Sequence, residues 1–241
     1  MIYKAQDVLL DSAKRILVDS NIIVAYFDEK HKFHKEVFDR LNPVYLNGAS
    51  FFYVQPCLLE FKEYWRRKKL TECIEEMIGK EFYFFREFRK LYNKFRTDNQ
   101  NQGYEYLSDR QIKNLRGTLE NIHNNKGLNF WFDLSNVALT GTLSNLENRL
   151  SKSKFIYAKF DDNNLFPISN KPNWPKWIDA DLAQEKFCLA ANDAAILNMT
   201  NNAFNIDSFI SNDGDMLFAV SNGALKHQIN TYTFLDNSNF I

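Results

Sequence analysis

Four carboxylates stand in settings that ordinary surface charge does not explain: Asp19, Glu60, Asp193 and Asp213. Asp19 closes the apolar run Arg15 to Asp19 (RILVD). Asp213 lies just past the run Asp207 to Ser211 (DSFIS), in the polar turn Asn212-Asp213-Gly214-Asp215. Glu60 has Pro56, Cys57 and Tyr64 at helical spacing, and Asp193 has Leu189 and Ala190 before it and Ile196 and Leu197 after it. Residues three and four apart share a helix face, so both acids fall on largely apolar faces, where an unpaired charge is costly. A buried carboxylate needs a cation, a proton or hydrogen-bond donors. Several converging carboxylates repel one another, and an oxygen-rich cluster of this kind suits Mg²⁺ or Mn²⁺. Such a cation polarises a phosphoryl oxygen, lowers the pKa of a bound water and stabilises a leaving oxygen, which is the chemistry of phosphodiester hydrolysis. Each acid alone has a plainer explanation. Asp19 and Asp213 suit turns or helix N-caps, Glu60 has Lys62, Arg66 and Arg67 nearby as partners, and Asp193 could be neutral or bonded to backbone.

The elements that must position these acids read as alternating strands and helices. After RILVD, Ser20-Asn21 caps a helix over Ile22 to Phe27, and Lys35 to Leu41 forms a second helix ending near Asn42-Pro43. Phe51 to Val54 reads as a strand, and Pro56 opens a helix through Glu60 to about Leu70. Further strands are expected at Phe155 to Phe160, at Asp207 to Ser211 and at Ile229 to Phe234. A helix is expected from Asp179 or Asp181 to about Met199, so that Asp193 sits mid-helix. Turns or loops are read at Asp161–Asn164 and Pro172–Pro175. Strands separated by helices imply a parallel α/β sheet, and such sheets gather ligands beyond the carboxyl ends of their strands. Asp19 and Asp213 would project there.

In this order the four segments resemble the PIN-domain family. ILVDSNIIVAYFD (Ile16 to Asp28) is similar to that family's opening strand, with Asp19 as first acid. VQPCLLEFKEYWRR (Val54 to Arg67) is similar to its second signature, with Glu60 as second acid. LAANDAAIL (Leu189 to Leu197) supplies Asp193, and FISNDGDMLF (Phe209 to Phe218) supplies Asp213, with Asp215 as an accessory acid. The resemblance covers about residues 15–70 and 180–235. It implies a three-layer α/β/α sandwich with a central parallel sheet and a Mg²⁺- or Mn²⁺-dependent ribonuclease acting on RNA or single-stranded nucleic acid. It also implies that Asp19, Glu60, Asp193, Asp213 and Asp215 hold metal, with Ser20, Asn21 and Ser211 supporting them through hydrogen bonds. Many small members are toxins held by an inhibitory partner. This chain departs from them in a long, mainly helical insert at about 71–180 within one domain of 1–241.

The insert offers an aromatic and basic run, Phe82 to Arg96 (FYFFREFRKLYNKFR), in which Arg86, Arg89 and Lys90 could neutralise phosphates while rings stack on bases. Arg66 and Arg67 would extend that patch. The plainer account is an amphipathic helix that buries its rings, and the same surface could serve a homodimer or a partner protein. Ser108-x-x-Gln111 reads as a capping box, with breaks at Thr97–Gly103 and Asn124–Gly127. Thirty basic and thirty acidic residues cancel, so any polyanion must be met by a local patch. Three scattered cysteines, Cys57, Cys73 and Cys188, point to reduced thiols and a cytoplasmic setting. No run reaches the roughly 20 apolar residues that span a bilayer, so no membrane partner is expected. His31 and His34 lack further zinc ligands, and Gly79-Lys80 lacks the glycine spacing of a P-loop. No G-x-S-x-G elbow appears, and Asn21 stands where a haloacid-dehalogenase-like phosphatase wants a second Asp. The alternative from another class is a binding module that keeps the PIN-like frame without activity.

Overall fold

A computed structural model of the chain describes residues 2–78, 86–101, 105–120, 126–158, 177–202, 206–226 and 228–235. It is an α/β structure built on one all-parallel, six-stranded sheet in the order β1-β6-β5-β2-β3-β4. The strands are β1 Ile2–Lys4, β2 Arg15–Val18, β3 Ser50–Tyr53, β4 Phe155–Tyr157, β5 Ser208–Ile210 and β6 Asn230–Thr233. The inner strands are continuous apolar or β-branched runs, as strands covered on both faces must be. Ile16, Leu17 and Val18 of β2 and Phe209 and Ile210 of β5 are fully buried, as are Phe51 of β3 and Tyr232 of β6. Leu17 pairs with Phe52 on one side and Phe209 on the other, which puts β2 at the centre of the sheet. The Asp207 carboxylate fixes this register from below, its Oδ2 accepting the backbone N–H groups of Lys14 (3.0 Å) and Arg15 (3.1 Å).

Helix boundaries follow local chemistry. α1 (Ser20–Phe27) starts at Asp19, which caps it, and buries Ile22 to Ala25. α2 (His34–Leu46) does not stop at Asn42-Pro43. It continues one turn because Val44 is buried, and it ends where Asn47 donates to the Pro43 carbonyl and Gly48 takes φ +90. α3 (Gln55–Ile78) carries Pro56 in its first turn and runs past Leu70, because Leu70 and Ile74 are both buried apolar positions. The single helix expected up to Met199 is two, α8 (Trp177–Phe187) and α9 (Ala191–Asn202). Between them Cys188 takes φ +58, a left-handed conformation that ends a helix rather than continuing it. In α9 every residue from Ala194 to Thr200 is buried, so this helix is enclosed all round. α10 (Gly214–Ser221) starts at Asp213.

The strand β1 was not anticipated; it adds to the sheet beside β6, with Tyr3 opposite Tyr232. The strand at Phe155 ends at Tyr157, and residues 159 and 160 lie outside the described residues. The readings at Asp161–Asn164 and Pro172–Pro175 also lie outside them.

The chain divides into two compact units, one of residues 1–61 and 149–241 and the other of residues 62–148. The first contains the sheet. The second is helical, taking α3 from Lys62 onward with α4 (Arg86–Asn101), α5 (Asp109–Glu120), α6 (Lys126–Leu139) and most of α7 (Thr142–Ser151). Its limits compare with the insert read at about 71–180. Leu70, Ile74, Phe88, Tyr92, Leu115 and Trp131 form much of its core. The capping box is present as expected: Gln111 N–H donates to Ser108 Oγ (3.2 Å) and Ser108 N–H to Gln111 Oε1 (2.8 Å). The break expected from Thr97 falls later, since α4 continues to Asn101, while 102–104 and 121–125 lie outside the described residues.

Candidate acid site at the carboxyl edge of the sheet

The sheet order fixes where a site can form. From β2 the chain passes outward to β3 and then β4, whereas β5 returns to the other side of β2 and is followed by β6 beyond it. Connections therefore leave β2 and β5 in opposite directions across the sheet. Adjacent parallel strands that diverge in this way open a crevice beyond their carboxyl ends. Asp19 follows the last residue of β2, and Ser211 to Asp213 follow the last residue of β5. The sequence thus delivers two of the four acids to one crevice.

Asp19 is 2 % exposed and held by four groups. Its Oδ1 accepts the Ser20 N–H (2.6 Å), as an N-cap carboxylate does, and its backbone N–H donates to Ile210 in β5 (3.0 Å). Its Oδ2 accepts from Asn21 Nδ2 (2.6 Å) and from the Ser211 hydroxyl (2.6 Å). Ser211 is fully buried and also accepts the Asp213 N–H at Oγ (3.0 Å), so one hydroxyl orders both strand-end acids. The Ser20 hydroxyl lies 2.5 Å from Glu60 Oε2 and 3.3 Å from Asp19 Oδ1. A hydroxyl has one proton to donate, and the shorter contact takes it, which ties α3 to the start of α1. Asp213 caps α10 by accepting the Met216 N–H (2.9 Å).

Asp193 differs from its expected setting. It is the third residue of α9, in the first turn rather than mid-helix, because the chain breaks at Cys188. A helix N-terminus favours negative charge, so α9 offers this acid a partial positive pole that the sequence reading lacked. Asp215, in the first turn of α10, is exposed.

Burial is the largest influence on Asp19 and pushes its carboxyl from 3.8 to about 7. The Ser211 hydroxyl and the Ser20 N–H act downward, while repulsion from Glu60 and Asp193 acts upward. Burial also raises Asp193 from 3.8 to about 6, with repulsion from Asp213, Glu60 and Asp215 adding to it. Asp19 and Asp193 thus each lie within reach of the charge of other acids in the set. Among the described residues no lysine, arginine or histidine forms a salt bridge with any of them.

The donor set is carboxylate oxygen. Cys57 does not join it: burial pushes its thiol well above 9, and Sγ donates to the Val18 carbonyl (3.6 Å). Oxygen donors without thiolate or imidazole fit a hard divalent cation. Among the described residues no three acids, histidines or cysteines stand close enough to form a closed ligand cage.

Asn212 is a polar link next to the acids that its sequence position alone does not single out. Its N–H donates to Asn21 Oδ1 (3.0 Å), and its Oδ1 accepts from Phe234 N–H (2.8 Å) and Thr233 Oγ1 (3.1 Å). It thereby joins α1 to the end of β6 behind Asp19. Its side-chain Nδ2 is buried without a partner among the described residues. The only hint in sequence is an Asn inside a turn already singled out for its acids.

The basic candidates lie in the helical unit. Arg66 is ion-paired with Glu63 (2.7 Å) and Asp109 (2.6 Å), and Arg67 with Glu63 (3.7 Å). Lys90 pairs with Glu87 (2.9 Å), whereas Arg86 and Arg89 are exposed and have no salt bridge among the described residues. Phe88 and Tyr92 of α4 point into the core, so this helix buries rings on one face and shows cations on the other. Residues 82–85 of the aromatic run lie outside the described residues. His34 is placed structurally, its Nδ1 lying 2.9 Å from the Ala25 carbonyl.

Compared with protein-family models, curated proteins and solved structures, the chain matches none of them.

Proposed function

We propose that this chain is a metal-dependent nuclease that hydrolyses phosphodiester bonds of RNA or single-stranded nucleic acid, on a PIN-like three-layer α/β/α frame carrying a helical insert. The observation that carries the reading is Asp19: a buried carboxylate at the crevice between β2 and β5, gripped by Ser20, Asn21 and Ser211 and repelled by Glu60 and Asp193. A carboxylate built in at that cost to the apo protein is explained by a cation that relieves it.

Asp19, Glu60, Asp193 and Asp213 are the residues that would hold Mg²⁺ or Mn²⁺, with Asp215 beside them. When bound, the cation supplies Lewis-acid polarisation of the phosphoryl oxygen and a more acidic water. The remaining work belongs to side chains of the chain. Ser211 and Asn21 orient Asp19, the Ser20 hydroxyl orients Glu60, and the Met216 N–H orients Asp213. Among the described residues no helix is long and apolar enough to cross a membrane, and the cytoplasm is the proposed location.

The test is cleavage of a short labelled RNA by purified protein with and without Mn²⁺. Asp19→Asn and Asp193→Asn should each abolish product while leaving the circular dichroism spectrum unchanged. Wild-type rates in either variant would remove the site assignment. A second reading, a binding module without catalysis, is favoured by the absence of a closed ligand cage among the described acids. It predicts salt-sensitive RNA or protein binding and no Mn²⁺-dependent product from the wild type.

A further inference from the structure

Beside the acid edge, within the sheet unit, lies a cleft of about 500 Å³. That volume falls in the range of about 300–1,000 Å³ typical of small-molecule sites. Leu59, Met199, Pro56 and three alanines give it an apolar surface, and three carboxamides, Gln55, Gln184 and Asn192, line it with them. Among the described residues the one ionisable lining group is Asp181, which is exposed. None of the three carboxamide side chains has a hydrogen-bond partner among the described residues. Each offers two N–H donors and one oxygen acceptor; Gln55 and Asn192 are exposed and Gln184 half-buried, so these groups are free of protein partners and open to a ligand beside an apolar surface.

We propose that this cleft is a base-binding subsite, which takes one unpaired nucleobase of the strand whose phosphodiester meets the acids. The proposal rests on the nuclease reading for the class of its ligand. Position supports it first. Leu59 and Glu60 are consecutive in α3, and Asn192 and Asp193 are consecutive in α9, so the segments that line the cleft also carry two of the acids. Charge supports it next. Among the described residues no cation lines the cleft, and the carboxylate of Asp181 disfavours a phosphate there more than a neutral base. Chemistry completes it. An unstacked base is flat and apolar on its faces and carries donors and acceptors on its edges, which carboxamides match.

The experiment uses the full chain carrying Asp19→Asn, so that RNA is not cut. Binding of a fluorescent hexaribonucleotide is followed by anisotropy while one abasic residue is moved through the strand. One position should lose about tenfold in affinity and the others less than about twofold, as expected when one base loses its hydrogen bonds and apolar contact in the cleft. Adding Gln55→Ala and Gln184→Ala should weaken the intact strand by a similar factor, yet leave the strand that is abasic at the sensitive position unchanged. Asn192→Ala provides the same cycle independently. Equal losses at every position, additive losses in the cycle, or no RNA binding overturn the subsite. An intact cycle in a protein whose wild type gives no Mn²⁺-dependent product would instead overturn the nuclease reading and leave the subsite standing.

Discussion

Replacing Asp19 with Asn should make the metal-free protein more stable at alkaline pH and no more stable near pH 5. In the unfolded chain the carboxyl titrates near 3.8, and in the folded chain burial holds it at about 7. Across that interval the folded state keeps a proton that the unfolded state has lost. Stability therefore falls as pH rises, and the full cost is present above 7. For a single group with these two values the loss is about 4 kcal/mol near pH 8 and about 2 kcal/mol near pH 5. Asn removes it but forfeits an acceptor. Its Oδ1 can still take the Ser20 N–H, while its NH₂ then faces the NH₂ of Asn21, now 2.6 Å from Asp19 Oδ2. One such lost hydrogen bond costs about 1–2 kcal/mol. The variant should thus equal wild type near pH 5 and exceed it by about 2–3 kcal/mol near pH 8. Urea unfolding in EDTA, followed by circular dichroism at both pH values, measures this. A stability difference that is flat between them would mean that Asp19 titrates like an exposed carboxylate, and the argument from burial would fail.

Metal should reverse the order. At saturating Mn²⁺ and pH 8, wild type should gain about 3–4 kcal/mol at 100 to 1,000 times Kd, while Asp19→Asn gains little, as thermal shifts will record. The gain should shrink toward pH 5, because protons compete for Asp19 and Asp193. Ser211→Ala removes a donor from Asp19 and an acceptor from the Asp213 N–H, and should cost about 2–3 kcal/mol in the same urea assay near pH 8. Ser108→Ala opens the capping box of α5 and should cost about 1 kcal/mol without changing cleavage. Reversing the charge of Arg86, Arg89 and Lys90 should weaken RNA binding and flatten its salt dependence by about 2 in log–log slope. An unchanged slope would confine α4 to its role in the core.

The strands were legible because each is a run of consecutive apolar or β-branched residues, a pattern that a strand enclosed on both faces produces. β1 was not, since Ile2-Tyr3-Lys4 is three residues long and is stabilised by β6, which lies far away in sequence. The capping box was legible because both of its partners lie within one turn. Pro43 misled because proline usually ends a helix; here the burial of Val44 one residue later outweighs it. The break at Cys188 left no residue signal, as neither Gly nor Pro marks it, and only the backbone angle reveals it. That miss matters for function, because it moves Asp193 from the interior of a helix to its first turn.

Types and order in the sequence singled out the four acids, yet topology is what relates them. Asp19 and Asp213 are 194 positions apart, but each follows its strand directly, and β2 and β5 are neighbours in the sheet. The supporting polar groups show the same logic at finer scale. Ser20 and Asn21 are local to Asp19, and the sequence could offer them as caps. Ser211 reaches Asp19 only because the β2–β5 register, Val18 opposite Ile210, brings the next residues of both strands level. A slip of one residue in that register would turn side chains to the opposite face, taking Ser211 away from Asp19 and leaving a buried carboxylate short of a donor. Asp207, bonded to the N–H groups of Lys14 and Arg15 at the far end of the same pair of strands, opposes such a slip. A residue at the amino end of β5 with no chemistry of its own is therefore part of what keeps the acid site assembled.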